Sequence, residues 1–294
     1  MKAKIIAATL VAFLMAATLG GCAEAADNTV EERNGGTYRE QPEEELPAEE
    51  FPEEELPAEE VSPEVPAVPA VPVPEVQPEP PKVQTVSYIK VISDNVNIRS
   101  GAGTNYSVSG TAEKSTLYAL LGEENGWYKT GYKNKTVYIS KKYCEVIEFN
   151  KSSDERIEAV IAEGAKLLGT PYVYGATRLH DGKGNMLKGF TVNEFDCSSL
   201  MQYMFYKGAN KLLDVNTRTQ IYQGTTVQKS QLKRGDLIFF TNSSRVNNKG
   251  IERVGHVAIY LGDNYILHTA SDYAKIERIS ATRWGYYIQA QRMI

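Results

Sequence analysis

Apolar and polar positions divide the chain into four stretches with different periods. Ile5 to Leu19 is an apolar run, short for a helix that crosses a bilayer. From residue 23 to 85 the apolar positions have no period and stand between prolines and glutamates. From 86 to 148 short runs recur: Val86, Tyr88, Ile89, Val91 and Ile92, then Leu117–Leu121, Trp127–Thr130 and Thr136–Ser140. Gly122-Glu123-Glu124-Asn125-Gly126 and Tyr132-Lys133-Asn134 separate them as turn signals. Strands of this length and spacing predict a small all-β barrel. From 150 the period lengthens. Ile157, Val160, Ile161 and Leu168 form a helical stripe, opened by a capping box of Ser152 with Glu155 and closed by Gly169 before Pro171.

A second helix is predicted where Cys197 stands in the first turn and Leu200, Met204 and Phe205 continue at helical spacing, with Gly208 as its stop. Strands follow at Leu237–Phe240, Val254–Leu261, Tyr265–Thr269 and Tyr286–Met293. Thr177 to Glu194 is a polar, glycine-bearing insertion, and Asn242 to Lys249 another polar loop. The fold class expected is α+β, with helices packed on an antiparallel sheet.

Composition sharpens the front of the chain. Twelve of the 13 prolines lie between Pro42 and Pro81, and Pro42–Glu50 recurs as Pro52–Glu60. Proline removes backbone donors and glutamates repel one another, so 22–85 predicts a disordered, extended tether without a core. Met1-Lys2-Ala3-Lys4 ahead of the apolar run, and Leu19-Gly20-Gly21-Cys22 after it, read as an export signal over 1–21. Its ending resembles the bacterial lipobox, which implies cleavage before Cys22 and a lipid on that sulfur. Loss of Lys2 and Lys4 takes the net charge from −5 to −7, which argues against nucleic acid as a partner. The resulting picture is an exported protein, lipid-anchored at Cys22 to the outer face of the membrane and reaching into the wall as a monomer. The boundaries expected are 86–148 for the barrel and 150–294 for the second domain.

The chemistry concentrates in few residues. Besides Cys22 the cysteines are Cys144, placed like a core hydrophobe, and Cys197; no disulfide between them is expected. A thiol at a helix N-terminus faces unpaired N–H groups and the positive end of the helix, which favour the thiolate. The three histidines are His180, His256 and His268. His180 lies in the polar insertion and reads as structural. Gly262-Asp263-Asn264 is a turn between two strands. Pairing about Gly262 places His256 opposite His268, Ala258 opposite Ile266 and Tyr260 opposite Asn264, with both imidazoles on one face. Nucleophile, base and orienting group then follow as Cys197, His256 and His268. Helix-start N–H groups with the Tyr172 hydroxyl would hold an oxyanion. A zinc site on the same three residues is the rival, without the paired spacing that zinc sites favour. No cofactor or metal is expected.

Two resemblances add to this. Val96-Asn97-Ile98-Arg99-Ser100-Gly101-Ala102-Gly103-Thr104, Gly126-Trp127-Tyr128-Lys129 and Val137-Tyr138-Ile139 resemble the bacterial SH3-like domain. That likeness implies wall-ligand binding or shaping of a neighbouring site. Trp127 reads as core; Tyr106, Tyr132 and Tyr143 read as surface candidates. Asp196-Cys197-Ser198-Ser199-Leu200, Arg234-Gly235-Asp236-Leu237-Ile238-Phe239-Phe240, Gly255-His256-Val257-Ala258-Ile259-Tyr260-Leu261-Gly262 and His268 resemble the NlpC-type cell-wall cysteine peptidases, papain-like in fold, over about 154–293. This implies hydrolysis of peptidoglycan stem peptides, commonly between γ-D-glutamate and diaminopimelate or lysine. The family's catalytic residues fall on Cys197, His256 and His268, and its Pro-Tyr tyrosine on Tyr172. In relatives with an SH3-like partner, the residues flanking the cysteine hold a free amino terminus; these match Asp196 and Ser198. Ser199 stands where the family usually has glycine, and the insertion 177–194 is longer than usual. Asp236 reads as a turn cap. The alternatives are an amidase acting between muramic acid and L-alanine on the same fold, and a non-catalytic wall-binding lipoprotein.

Overall fold

The alternation after residue 85 folds into eight strands: β1 (Thr85–Val91), β2 (Val96–Arg99), β3 (Val108–Ala112), β4 (Leu117–Ala119), β5 (Gly122–Glu124), β6 (Trp127–Tyr132), β7 (Lys135–Ser140) and β8 (Cys144–Asn150). The structure, a computed structural model, describes residues 83–294. The export signal, Cys22 and the Pro/Glu tether lie outside the described residues. Among these residues no helix is long and apolar enough to cross a membrane.

The second half contributes helices α1 (Glu155–Lys166), α2 (Cys197–Ala209), α3 (Thr217–Gln220) and α4 (Ala281–Gly285). Its strands are β9 (Thr225–Val227), β10 (Leu237–Phe240), β11 (His256–Gly262), β12 (Tyr265–Ala270), β13 (Tyr273–Arg278) and β14 (Tyr287–Arg292). They pair antiparallel in the order β13-β12-β11-β10-β14-β9. The boundary expected at 148–150 is not a gap. β8-β1-β4 of the first half joins the same sheet through Leu117 beside Ile276, giving nine strands, while β3-β2-β7-β6-β5 forms the second, five-stranded sheet of the small β domain. Leu200, Met201, Met204 and Phe205 of α2 pack with Val257, Ile259 and Leu267 on one sheet face. Ile238, Phe240, Ala258 and Ile266 form a smaller cluster with the other face.

Several local expectations shift. Asp154, not Ser152, caps α1, accepting from Arg156 N; Ser152 instead binds Glu158 through its backbone N–H. Gly208 lies inside α2, where a Cβ would stand 2.4 Å from Val160 N; the glycine lets α1 and α2 approach, and Asn210 in the left-handed conformation (φ 49°) ends the helix. Trp127 is half-buried and lines a barrel groove of ≈ 430 Å³ with Arg99 and Tyr143, so it is not core. Tyr132 is buried, not a surface residue, because its ring covers Gly169 at the junction of the two halves. Tyr106 and Tyr143 are exposed as expected.

Arg234 ties the halves together. It is bidentate to Glu158 of α1 at 2.7 and 2.9 Å, and it donates to Tyr88 Oη of β1 at 2.9 Å and to Leu261 O at 3.0 Å. Burial opposes ionisation of Glu158, but its Arg234 and Ser152 bonds outweigh this and hold the carboxyl below its usual 4.5. Arg234→Met removes the cation and leaves a half-buried carboxylate alone, so chemical denaturation at pH 7 should show a loss of about 3 kcal/mol. A carboxyl depressed on folding stabilises above its unfolded pKa and loses that contribution as pH falls, so the variant should also lose less stability than wild type on acidification below 4.5.

Candidate active site

Asp196 caps α2 in a reciprocal box: its Oδ1 accepts from Ser199 N at 2.8 Å, and Ser199 Oγ accepts from Asp196 N at 2.9 Å. A hydroxyl at 199 therefore does work that glycine would not. The box fixes Cys197 as the first residue of the helix, where it is buried. Burial pushes the Cys197 thiol up to about 12 and Asp196 adds to this, while N–H groups of Val257 and Ser198 and the Arg178 guanidinium oppose it. The sequence expectation of an acidified thiol is therefore corrected: desolvation outweighs the helix end. Cys144 is a second free thiol, half-buried in β8.

The histidine hairpin keeps its face but not its register. Tyr260 opposes Ile266 and Ile259 opposes Leu267, so the pairing is two residues away from the expected one. Asp263 and Asn264 (φ 48° and 65°) make a two-residue turn, and the register shifts between Tyr260 and Gly262. A shift of two preserves the face. His256 and His268 are diagonal neighbours, with Nε2 of His256 2.8 Å from Nδ1 of His268. The sulfur is brought to the backbone of Val257, next to His256.

Glu277 completes the chain, and sequence reasoning missed it. On β13 it opposes Ile266, on the face that carries both imidazoles. Its Oε1 lies 3.0 Å from His268 Nε2 and accepts from Arg283 Nη2 at 3.0 Å; Lys275 Nζ is 3.8 Å from Oε2. Burial pushes its pKa up, but His268, Arg283 and Lys275 outweigh it and hold the carboxyl at about 2. A carboxylate only accepts, so His268 Nε2 carries the proton. Burial lowers the pKa of His268 despite the pull of Glu277, so its Nδ1 is the acceptor and His256 Nε2 the donor. Burial, His268 and Arg283 lower His256 well below 6.5. Its Nδ1 is thereby left with a free lone pair, the state a general base needs. Both ring nitrogens of His268 are engaged, which leaves none for a metal and disfavours the zinc rival. Glu277→Ala releases the tautomer, and kcat should fall roughly 10²-fold with KM little changed, below the full 10²–10⁴ worth of a general base. Glu277→Gln, which can still accept from Nε2–H, should recover part of that loss.

Tyr172 lies between two cavities and lines both. Burial, with Cys197 and Asp196, pushes its hydroxyl up to about 12, so it stays a donor. One cavity, ≈ 490 Å³, is lined by His256, Asn242, Ser271, Ser280 and Arg283; the other, ≈ 250 Å³, by Cys197, Ser198, Arg178, Arg218 and Arg245. His180 lies away from both. It is buried against Tyr206 of α2 and its Nδ1 accepts from Gly182 N, while its buried Nε2 has no partner among the described residues. Asp236 caps its turn through Lys233 N, as expected, and is also bidentate to Arg292, a pair the sequence did not indicate.

A model of the NlpC/P60 family matches residues 169–293, and one of the bacterial SH3 domain matches 94–145. The peptidoglycan endopeptidase RipA of Mycolicibacterium smegmatis is 35% identical over 114 residues, 38% of this chain and 21% of that protein. The gamma-D-glutamyl-L-lysine dipeptidyl-peptidase of Bacillus subtilis is 27% identical over 171 residues, 58% of this chain and 50% of that protein. The crystal structure of an NlpC/P60 family protein from Bacillus cereus covers 71% of this chain and 63% of its own at 22% identity, with a TM-score of 0.38. The chain thus spans half or less of the length of these curated relatives.

Proposed function

We propose, from a chain that carries an NlpC/P60 family domain behind a bacterial SH3 domain, a cell-wall hydrolase that cuts peptidoglycan stem peptides as a cysteine endopeptidase. The observation that carries this reading is the chain His256–His268–Glu277, which begins on the strand whose Val257 N–H, one residue from His256, meets the Cys197 sulfur at the start of α2. Neutral Cys197 gives its proton to His256 Nδ1 as the sulfur attacks the γ-carbonyl of D-glutamate. Glu277 and His268 stabilise the imidazolium so formed. The Tyr172 hydroxyl and the N–H groups at the helix start hold the oxyanion. His256 then protonates the departing nitrogen of diaminopimelate or lysine, and water releases the acyl group from the thioester.

Asp196 and Ser198 line the acyl side, and the barrel groove at Trp127 and Tyr143 offers a surface for a wall ligand. Cys22 and the Pro/Glu tether would hold the enzyme, as a monomer, on the outer membrane face. Digestion of purified wall followed by mass spectrometry of the fragments tests the reading. New termini at γ-D-glutamate support the endopeptidase; release of L-alanine amino termini from intact glycan would replace it by an amidase; no release would leave a wall-binding protein.

A further inference from the structure

The acid-base roles fix which cavity takes which half of the substrate. His256 protonates the leaving nitrogen, so the leaving half lies in its cavity. The acyl half stays on Cys197, in the cavity shared with Ser198, Arg178, Arg218 and Arg245. The acyl half of a stem is L-alanyl-γ-D-glutamate. Its alanine nitrogen is a free ammonium in a trimmed peptide and an amide in a stem still joined to its glycan.

Asp196 is the acid through which this cavity would receive an ammonium, and its carboxylate is filled. Oδ1 accepts from Ser199 N at 2.8 Å and Ser198 Oγ at 3.0 Å; Oδ2 accepts from Gly175 N at 3.2 Å and pairs with Arg178 Nη2 at 2.7 Å. Asp196 is 4% exposed. Arg178 is equally committed, with Nε on Val215 O at 2.7 Å, Nη1 on Ala176 O at 2.5 Å and Nη2 also on Ser198 Oγ at 3.2 Å. It belongs to the insertion 177–194, so this closure is a property of that added segment. The remaining charges point the same way. Arg218 and Arg245 share the single carboxylate of Glu252 at 3.2 and 3.1 Å, leaving the cavity wall rich in guanidinium. No barrel residue lines the cavity. A cation entering here would meet guanidinium groups and no carboxylate that is not already paired, whereas an amide nitrogen needs no counter-charge.

We propose that Arg178 closes the acyl-side cavity to a free amino terminus, so that the enzyme takes γ-glutamyl stems whose alanine nitrogen is acylated rather than trimmed peptides. On this reading Asp196 and Ser198 anchor Arg178, in place of the amine that the family resemblance implies. The inference rests on the peptidase reading, and the test separates the two. Two synthetic stems, identical except for an N-lactyl or a free L-alanine amino terminus, are compared by kcat/KM. Like-charge contact predicts a preference of roughly 30-fold or more for the acylated stem. Arg178→Gln should shrink that ratio to near one, mainly through a lower KM for the free amine. Equal or faster cleavage of the free amine by wild type overturns the inference and leaves the peptidase standing. Cleavage of neither stem overturns the peptidase, and calorimetric binding of both to Cys197→Ala then decides the selectivity on its own. Binding to Cys197→Ala also decides it if Arg178→Gln does not fold; equal affinities there would sink the proposal.

Discussion

Cys197→Ala is expected to abolish release of stem peptides, a loss on the order of 10⁶ in kcat if the sulfur is the nucleophile of a working triad. The thermal midpoint should stay within about 4 °C of wild type, because the substitution removes one buried sulfur and no hydrogen-bonded cap. The cap belongs to Asp196 and Ser199, which the variant retains. A companion measurement follows from burial. With the thiol pushed up to about 12, alkylation of the free enzyme at pH 7.5 should run slower than for an ordinary free thiol near 8.5. Slow alkylation together with full activity marks a thiol ionised as it attacks. Undiminished release by Cys197→Ala would remove the nucleophile and the reading with it.

Much of this site could be read before the fold was known, and the parts that could not share a cause. Local pattern was enough for α1, α2 and the β11–β12 hairpin, because apolar spacing and a turn dipeptide act over a few residues. It also gave the shared face of His256 and His268, since a face depends on parity alone. Register was not legible, because it depends on a bulge beside Leu261 that no propensity announces. Glu277 was hidden for a stronger reason. Tyr273-Ala274-Lys275-Ile276-Glu277-Arg278 looks like a polar surface stretch, and Glu277 acquires its role when β13 pairs with β12 and Arg283 returns from α4. The direction of the thiol shift failed for the same reason: a helix end is local, whereas desolvation is set by everything packed around it. Arg178 is the extreme case, a single arginine in a polar insertion whose meaning appears when Val215 and Asp196 arrive from elsewhere in the chain.

His256→Ala should lower kcat/KM by roughly 10⁴, the upper range for a lost general base, and cost about 1–3 kcal/mol of stability because the buried His268 Nδ1 loses its donor. The pH profile then tells a base from a merely nearby ring. Burial, His268 and Arg283 hold His256 well below 6.5, and burial holds Cys197 near 12. Between these limits both groups are neutral, the state in which the imidazole can take the thiol proton. Wild-type kcat/KM should therefore rise with pH along a limb that lies wholly below 6.5, as His256 sheds its proton, and stay flat through the neutral range. An enzyme that ran on a preformed thiolate–imidazolium pair would instead lose activity on the alkaline side as the imidazolium deprotonated. In His256→Ala the acid limb should vanish, because no group remains whose neutrality the reaction requires. In Glu277→Ala it should move further down, since the carboxylate that favours imidazolium charge on His268, and through it on His256, is gone. A limb above 6.5 in wild type, or one unmoved by His256→Ala, would show that another group supplies the base.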